Sequence, residues 1–432
     1  MGFANPARAE SLLLTELGMA AAELRTDPLV TATATAADPD LALAGLARLF
    51  GAAAAPDALR AALRAEQDFR DRLTAVLGVS AGLADHLARH PEDAEILRGA
   101  ISRPEAADLR ADLLGAVGAD PGDAGSGDAG SADPDGPVAA GREPTAALAA
   151  AYRRRLLHLT ARDLTGAATV DEVGEELADI AAAVLEAALA VARAELPGMP
   201  DAAPCRLAVV AMGKCGGREL NYASDVDVIF VAEPVKDEDE TAALATASRL
   251  AAGLIGVCAR STPEGSIFPV DPNLRPEGRA GPLVRTLASH LAYYERWAKT
   301  WEFQALLKAR PVAGDIPLAR PTRTPSARWS GRRPAASISW RTCRPCGAGW
   351  SSPCRPGRPD ASSSWAPAGC ATSSSPSSCC SWCTAAPTRR CARPPRCPRW
   401  PHWPRAATSA APTRTNSAPP TGSCAAPSTC CS

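Results

Sequence analysis

The chain has 432 residues with 46 Lys and Arg against 47 Asp and Glu, a net charge of −1, and its length allows two or three domains with ample buried core. The near-neutral sum hides a split: residues 1–320 hold 31 basic and 46 acidic residues (31 − 46 = −15), and residues 321–432 hold fifteen Arg and one acid, Asp360 (15 − 1 = +14). With no secretory n- or h-region at the start and no run of about 18 apolar residues, neither a signal peptide nor a transmembrane helix is expected, and residues 1–320 read as an acidic, cytoplasmic globular protein.

From Pro6 to about residue 117 the sequence is rich in Ala, Leu and Arg at helical spacing. In "PDALRAALRAEQDFRDRLTAVLG", Leu59, Leu63, Phe69, Leu73 and Leu77 recur at intervals of four and six, and Pro56 and Gly78 mark the two ends of one helix. "LADHLARHPEDAEILRG" reads as two short helices broken at Pro91. Residues 118–144, rich in Gly, Asp, Ala, Ser and Pro without periodicity, read as a disordered acidic linker.

Helix is expected again over 145–166 and 170–196. Thr169 and Glu172 form a capping box, Val173, Leu177, Ile180, Val184 and Val191 form an apolar stripe, and Pro197-Gly198 is the stop. The character then changes. "RLAVVAM", "VDVIFV" and "SIFPVD" read as strands, with the helical "TAALATASRLAAGLIGVCAR" before the last of them. Pro269 makes that last strand an edge or bent one. Strand, glycine turn, strand, helix, strand gives an α/β or α+β sheet domain at 205–315 behind helical material, and the fold class expected for the chain is α+β.

The first two strands enclose "AMGKCGGRELNYASDVDVIFV" (211–231). Side chains alternate along a strand, so Asp225 and Asp227 share a face. Adjacent carboxylates repel, and a divalent cation relieves that repulsion; hard oxygen ligands and room for phosphate point to Mg²⁺. Gly216 and Gly217 leave space for backbone amides to approach phosphate oxygens, and Lys214 adds a mobile positive charge. A D-x-D pair or a Gly-Gly turn alone is commonplace. Their combination, with Ser224 opening the second strand, points to a phosphate brought to a metal.

That combination resembles the nucleotidyltransferase superfamily of the polymerase-β type. The resemblance implies a third acid on a later strand, which "SIFPVDPNLRPEG" supplies as Asp271, with Arg275 within reach of a phosphate. "GKCGGRELNYASDVDVIF", "VDPNLRPEGRAGPLV" and "RWAKTWEFQALLKARPVAGD" further resemble the glutamine synthetase adenylyltransferase/adenylyl-removing enzyme family of actinobacterial type, over the N-terminal half. The resemblance implies that Asp225, Asp227 and Asp271 hold the metal and carry catalysis. Gly213, Lys214, Gly216, Gly217, Ser224 and Arg275 form the phosphate and nucleotide set. It implies removal of AMP from a tyrosine of glutamine synthetase by phosphorolysis, and as partners glutamine synthetase, ATP, ADP or AMP, phosphate and a PII-type signal protein, with no membrane and no nucleic acid. Forward adenylyl transfer and a non-catalytic fragment are the alternatives. His290 is expected on a helix surface.

The expected domains are a helical region over 1–117, the linker 118–144, helices over 145–199, a nucleotidyltransferase domain over 200–318, and an irregular or disordered tail over 319–432. Residues 321–432 contain no Leu, Val, Met, Phe, Tyr, Lys or Glu, yet hold twelve of the fifteen Cys and seven of the nine Trp. Without aliphatic side chains no core can form. "CRPC" (343–346) and the following cysteines (354, 370, 379, 380 and 383) are not read as a zinc set, and the Arg are too scattered for a nucleic-acid arm. The composition is that of GC-rich codons read out of frame. Residues 365–386, back-translated and read two bases later, can give a leucine-rich helical segment.

Overall fold

The computed structural model describes residues 2–120, 136–196, 205–235 and 238–320. The first helices are α1 (Pro6–Thr15), α2 (Pro28–Ala34), α3 (Pro39–Ala52), α4 (Pro56–Ala65), α5 (Gln67–Leu77), α6 (Ala81–Arg89) and α7 (Ala106–Ala116). Their starts follow from local chemistry. Asn5-Pro6, Asp27-Pro28 and Asp38-Pro39 each place a side-chain acceptor before a proline whose missing N–H is no loss at the first helical position.

One helix was expected from Pro56 to Gly78, and the structure makes two, breaking at Glu66 (φ −104°, ψ 101°). The interval of six between Leu63 and Phe69 is the reason: in a continuous helix it would put them about 120° apart. The break lets both be buried, and Arg98 holds the Glu66 carboxylate at the bend. The expected interruption at Pro91 is present, with a 3₁₀ segment over Pro91–Leu97 after α6.

Two long helices follow, α8 (Pro144–Leu164) and α9 (Val170–Ala194), the latter opened by the Thr169–Glu172 capping box. The predicted stripe of α9 is buried, and so is most of the rest of its surface, because α7, α8 and the sheet surround it. Of the stretch read as a linker, residues 121–135 lie outside the described residues. Its described ends pack, with Ala139 N–H donating to Ala190 O (3.1 Å) and Gly141 N–H to Val117 O (3.0 Å).

The remaining elements are β1 (Cys205–Ala211), α10 (Gly213–Gly217), β2 (Val226–Pro234), α11 (Glu240–Ala259), β3 (Val270–Asp271), β4 (Val284–Arg285), α12 (Leu287–Arg296), α13 (Thr300–Leu306), β5 (Arg310–Gly314) and α14 (Ile316–Ala319). The sheet runs β3-β2-β1-β5, with β4 also on β2. β1 pairs antiparallel with β2 and β5, whereas β3 and β4 lie parallel to β2 at successive points along one edge. α11 is the crossover that a parallel β2–β3 pairing requires. It is also the one helix among the described residues long and apolar enough by composition to cross a bilayer; here it packs on α9 and the sheet.

The sheet separates two apolar clusters. Leu207, Val209, Val228 and Phe230 face the larger, which continues without a break into the N-terminal helices. Val210, Ile229 and Val231 face a smaller cluster completed by Tyr294, Leu306 and Leu318. The tail beyond residue 320 lies outside the described residues.

Candidate metal centre

β2 supplies the centre. Val226 and Val228 point into the larger cluster, so alternation turns Asp227 to the opposite face, the side of α12 and α13. β3 pairs with β2 in the register Val226↔Val270 and Asp227↔Asp271. Val270 shares the cluster of Val226, so Asp271 emerges beside Asp227. Asp225, just before the strand, completes a group whose carboxylate oxygens lie within 4.8 Å of one another. Asp225 is exposed, and Asp227 and Asp271 are half-buried.

Burial pushes the Asp227 carboxyl above the usual carboxylate range, and the neighbouring charges of Asp225 and Asp271 push it further, with Lys214 opposing. Three carboxylates with one nearby ammonium leave an excess of negative charge that a divalent cation would neutralise. The donor set, oxygen only and partly solvent-facing, fits a magnesium-class ion that keeps sites for water and phosphate.

The glycine segment differs from a simple open turn. It forms one helical turn, α10, closed by Arg218 in the left-handed region (φ 58°). Gly213 has φ +50°, and a Cβ there would lie 2.3 Å from Asp227 Oδ2, so its lack of a side chain is what lets the turn reach the carboxylate. Gly216 serves another purpose. A Cβ on it would meet Lys308 O at 2.1 Å and Ala211 O at 2.5 Å, and its N–H already donates to Met212 O (2.8 Å). Contact with the backbone of β1 and of the turn before β5, rather than room for a phosphate, demands glycine at 216. At Gly217 the nearest atom to a Cβ is Lys308 Cδ, at 3.0 Å.

Lys214 Nζ donates to Asn221 Oδ1 (3.1 Å) and reaches Ser224 Oγ at 3.5 Å; Ser224 in turn donates to Asp225 Oδ1 at 3.4 Å. Lys214 and Ser224 thus join the carboxylates in one polar chain. Asn221 stands out in the sequence only as part of the Asn221-Tyr222 pair, and its contact with Lys214 was not foreseen. Asp271 Oδ1 accepts from Asn273 N–H (2.7 Å), which orients its carboxylate. Arg275 lies in the loop after β3, where its guanidinium donates to the carbonyls of Pro272, Gly281 and Pro282 and ties the loop together. Cys215, inside α10, is buried and its thiol is pushed up to about 11, which leaves it unreactive.

The expectation that His290 lies on a helix surface is corrected. α12 buries it against β2, with Nε2 3.3 Å from Phe230 O. Its helix packs over the sheet, and the apolar neighbours on that face were not visible in a segment containing Ser, Tyr and Glu.

Two carboxylates at the start of β2, a third on its parallel neighbour and a glycine-opened turn against them are the arrangement expected of a nucleotidyltransferase of the polymerase-β type. Residues 140–322 match the family model described as Glutamate-ammonia ligase adenylyltransferase. Among curated proteins, the chain is 52% identical over 324 residues to a Bifunctional glutamine synthetase adenylyltransferase/adenylyl-removing enzyme of Streptomyces avermitilis, covering 73% of this chain and 29% of that protein. Proteins of the same name from Nocardia farcinica (47% over 332 residues, 75% of this chain and 31% of that protein) and Mycobacterium avium (46% over 307 residues, 68% and 27%) are similar to it as well. Residues 140–322 are a domain of the glutamate-ammonia ligase adenylyltransferase family. The chain spans less than a third of the length of these relatives.

Proposed function

We propose that this domain removes AMP from an adenylylated tyrosine of glutamine synthetase by phosphorolysis, in the cytoplasm, yielding ADP and the free tyrosine. The observation that carries the reading is the side-by-side placing of Asp227 and Asp271 with Asp225. The similar bifunctional adenylyltransferase/adenylyl-removing enzymes suggest the substrate and the two directions of transfer. The wording around Asn221-Tyr222 and Lys299-Thr300-Trp301-Glu302-Phe303 supports the removing half.

In the reaction an oxygen of inorganic phosphate attacks the α-phosphorus of the adenylyl group. The phosphorus–oxygen bond to tyrosine breaks, its electron pair leaves on the phenolic oxygen, and that oxygen takes up a proton. Asp225, Asp227 and Asp271 would hold Mg²⁺, which supplies charge neutralisation for the phosphate oxygens and the departing phenolate. With a leaving group of pKa about 10, no dedicated acid is required. Lys214, steadied by Asn221 and Ser224, faces the incoming phosphate. The half-buried position of Asp227 raises the value of each charge contact there. Positioning and charge neutralisation carry the catalysis.

The test is incubation of adenylylated glutamine synthetase with the chain, Mg²⁺ and phosphate in the absence of ATP, following ADP. Labelling of unmodified synthetase from ATP without phosphorolysis would instead establish forward transfer. Binding of synthetase with neither reaction would establish a non-catalytic module. A PII-type signal protein belongs to the same reading as a regulator, tested by its effect on the rate of ADP release.

A further inference from the structure

A second cluster of ligand-type side chains lies away from the carboxylate centre, where the end of α6 meets the turn between α11 and β3. His86 and His90 are one helical turn apart in "HLARH", and Glu264 comes from 178 residues beyond His86. His86 Nδ1 lies 3.0 Å from Glu264 Oε2, and His90 Nε2 lies 3.1 Å from Glu264 Oε1. Ligand atoms of the three residues fall within 4.8 Å of one another. His86 is fully buried, Glu264 is 8% exposed, and the His90 side chain is 33% exposed at the rim.

The surroundings are those of an oriented imidazole. Asp93 Oδ2 lies 2.8 Å from His86 Nε2, on the far side of the ring from Glu264, and Arg154 pairs with Asp93 at 3.3 Å. Arg89 donates to both Glu264 oxygens, at 2.6 and 2.9 Å, and Arg153 donates to the Glu264 carbonyl at 3.2 Å. A neutral imidazole has one N–H. If Nε2 donates to Asp93, then Nδ1 turns a lone pair toward a carboxylate oxygen, an arrangement that needs a positive centre between the two atoms.

We propose that a zinc-class transition-metal ion fills that position, bound by His86 Nδ1, His90 Nε2 and Glu264, with Asp93 fixing the His86 ring from behind. Imidazole donors favour such ions, and a carboxylate on the outer nitrogen is the usual means of holding a ligating histidine in its tautomer. Arg89 holds part of the charge of Glu264. That works against hard cations such as Mg²⁺, which need several carboxylate oxygens, and separates this site in chemistry from the Asp225–Asp227–Asp271 centre. Three protein ligands with His90 at the rim leave a fourth position for water. The ion would fasten the N-terminal helices to the turn that leads into β3.

The experiment uses the full chain with its thiols alkylated, so that tail cysteines do not bind metal, and with Asp225→Asn and Asp227→Asn to remove the other centre. Titration with Co²⁺, which reports nitrogen and oxygen ligation in its visible spectrum, is expected to give one bound ion per chain. Zn²⁺ displaces it and excess Mg²⁺ does not. His90→Ala, at the rim, is expected to keep the far-ultraviolet circular dichroism of the parent and lose the bound ion. Glu264→Gln provides a second variant with the same expected loss. Absence of bound Co²⁺ in the parent, or an unchanged spectrum in a folded His90→Ala or Glu264→Gln variant, would overturn the proposal and leave a second proton on His86 as the filler.

Discussion

Asp227 and Asp271 stand opposite each other across a parallel strand pair only two residues long. They come from positions 44 residues apart (271 − 227) on either side of α11, and the pairing register turns both carboxylates to one face.

Replacing Asp225 or Asp227 by Asn keeps shape and removes charge. Under the proposed phosphorolysis, ADP release from adenylylated glutamine synthetase is expected to fall by about 10³-fold or more, the equivalent of about 4 kcal/mol of transition-state stabilisation. Thermal unfolding should hold or improve, because burial and like charge already oppose ionisation of Asp227. Parallel initial-rate and melting measurements check both halves of this expectation.

The two glycines Gly213 and Gly216 should separate activity from stability. Gly213→Ala places a Cβ against Asp227 Oδ2 at positive φ, a backbone penalty of about 1–2 kcal/mol, and displaces a carboxylate of the proposed metal group. Catalysis and the Mg²⁺ concentration for half-maximal rate should suffer most. Gly216→Ala meets two carbonyl oxygens of the backbone, which cannot swing aside. It should cost about 3 kcal/mol or more in denaturant unfolding, with soluble yield falling alongside.

Arg162 and Glu176 form a buried pair at 2.5 Å between α8 and α9. Burial raises the Glu176 carboxyl more than Arg162 lowers it. Arg162→Met alone strands the carboxylate and should cost about 3–5 kcal/mol. Adding Glu176→Leu should recover most of that loss. A double-mutant cycle in urea reads the coupling directly.

His290 gives a signed pH dependence. Burial lowers its pKa from 6.5 to about 4, with Arg285 adding to the effect and the hydrogen bond to Phe230 O opposing it. Between those values the unfolded ring takes a proton that the folded ring refuses. Its contribution is therefore full above pH 6.5 and lost as pH falls through about 4. His290→Gln, which keeps a donor for Phe230 O, should flatten the parent's acid loss by up to about 3 kcal/mol, measured as unfolding free energy from pH 7 to pH 3.

Local signals in the sequence were reliable where the physics is local. The Thr169–Glu172 capping box, the break at Pro91 and the nearness of the Asp225 and Asp227 carboxylates depend on neighbours within a few residues. Pro269 likewise signalled the edge strand that carries Asp271. The bend at Glu66 was visible only as an irregular interval, and its stabilisation by Arg98 was not visible at all. The roles of Gly213 and Gly216 could not be told apart, because one answers to a carboxylate on β2 and the other to a carbonyl at Lys308. The His86–Glu264 contact joins two regions with no shared pattern, and "HLARH" was its sole trace.

A strand of two residues gives Asp271 little support of its own. The turn seven residues earlier is tied to the N-terminal helices, Glu264 gripped by Arg89 on α6 and its carbonyl by Arg153 on α8. The N-terminal helices thus anchor one end of a segment whose other end carries the third carboxylate. A lesion in those helices, far from the carboxylates, is expected to loosen the strand that presents Asp271.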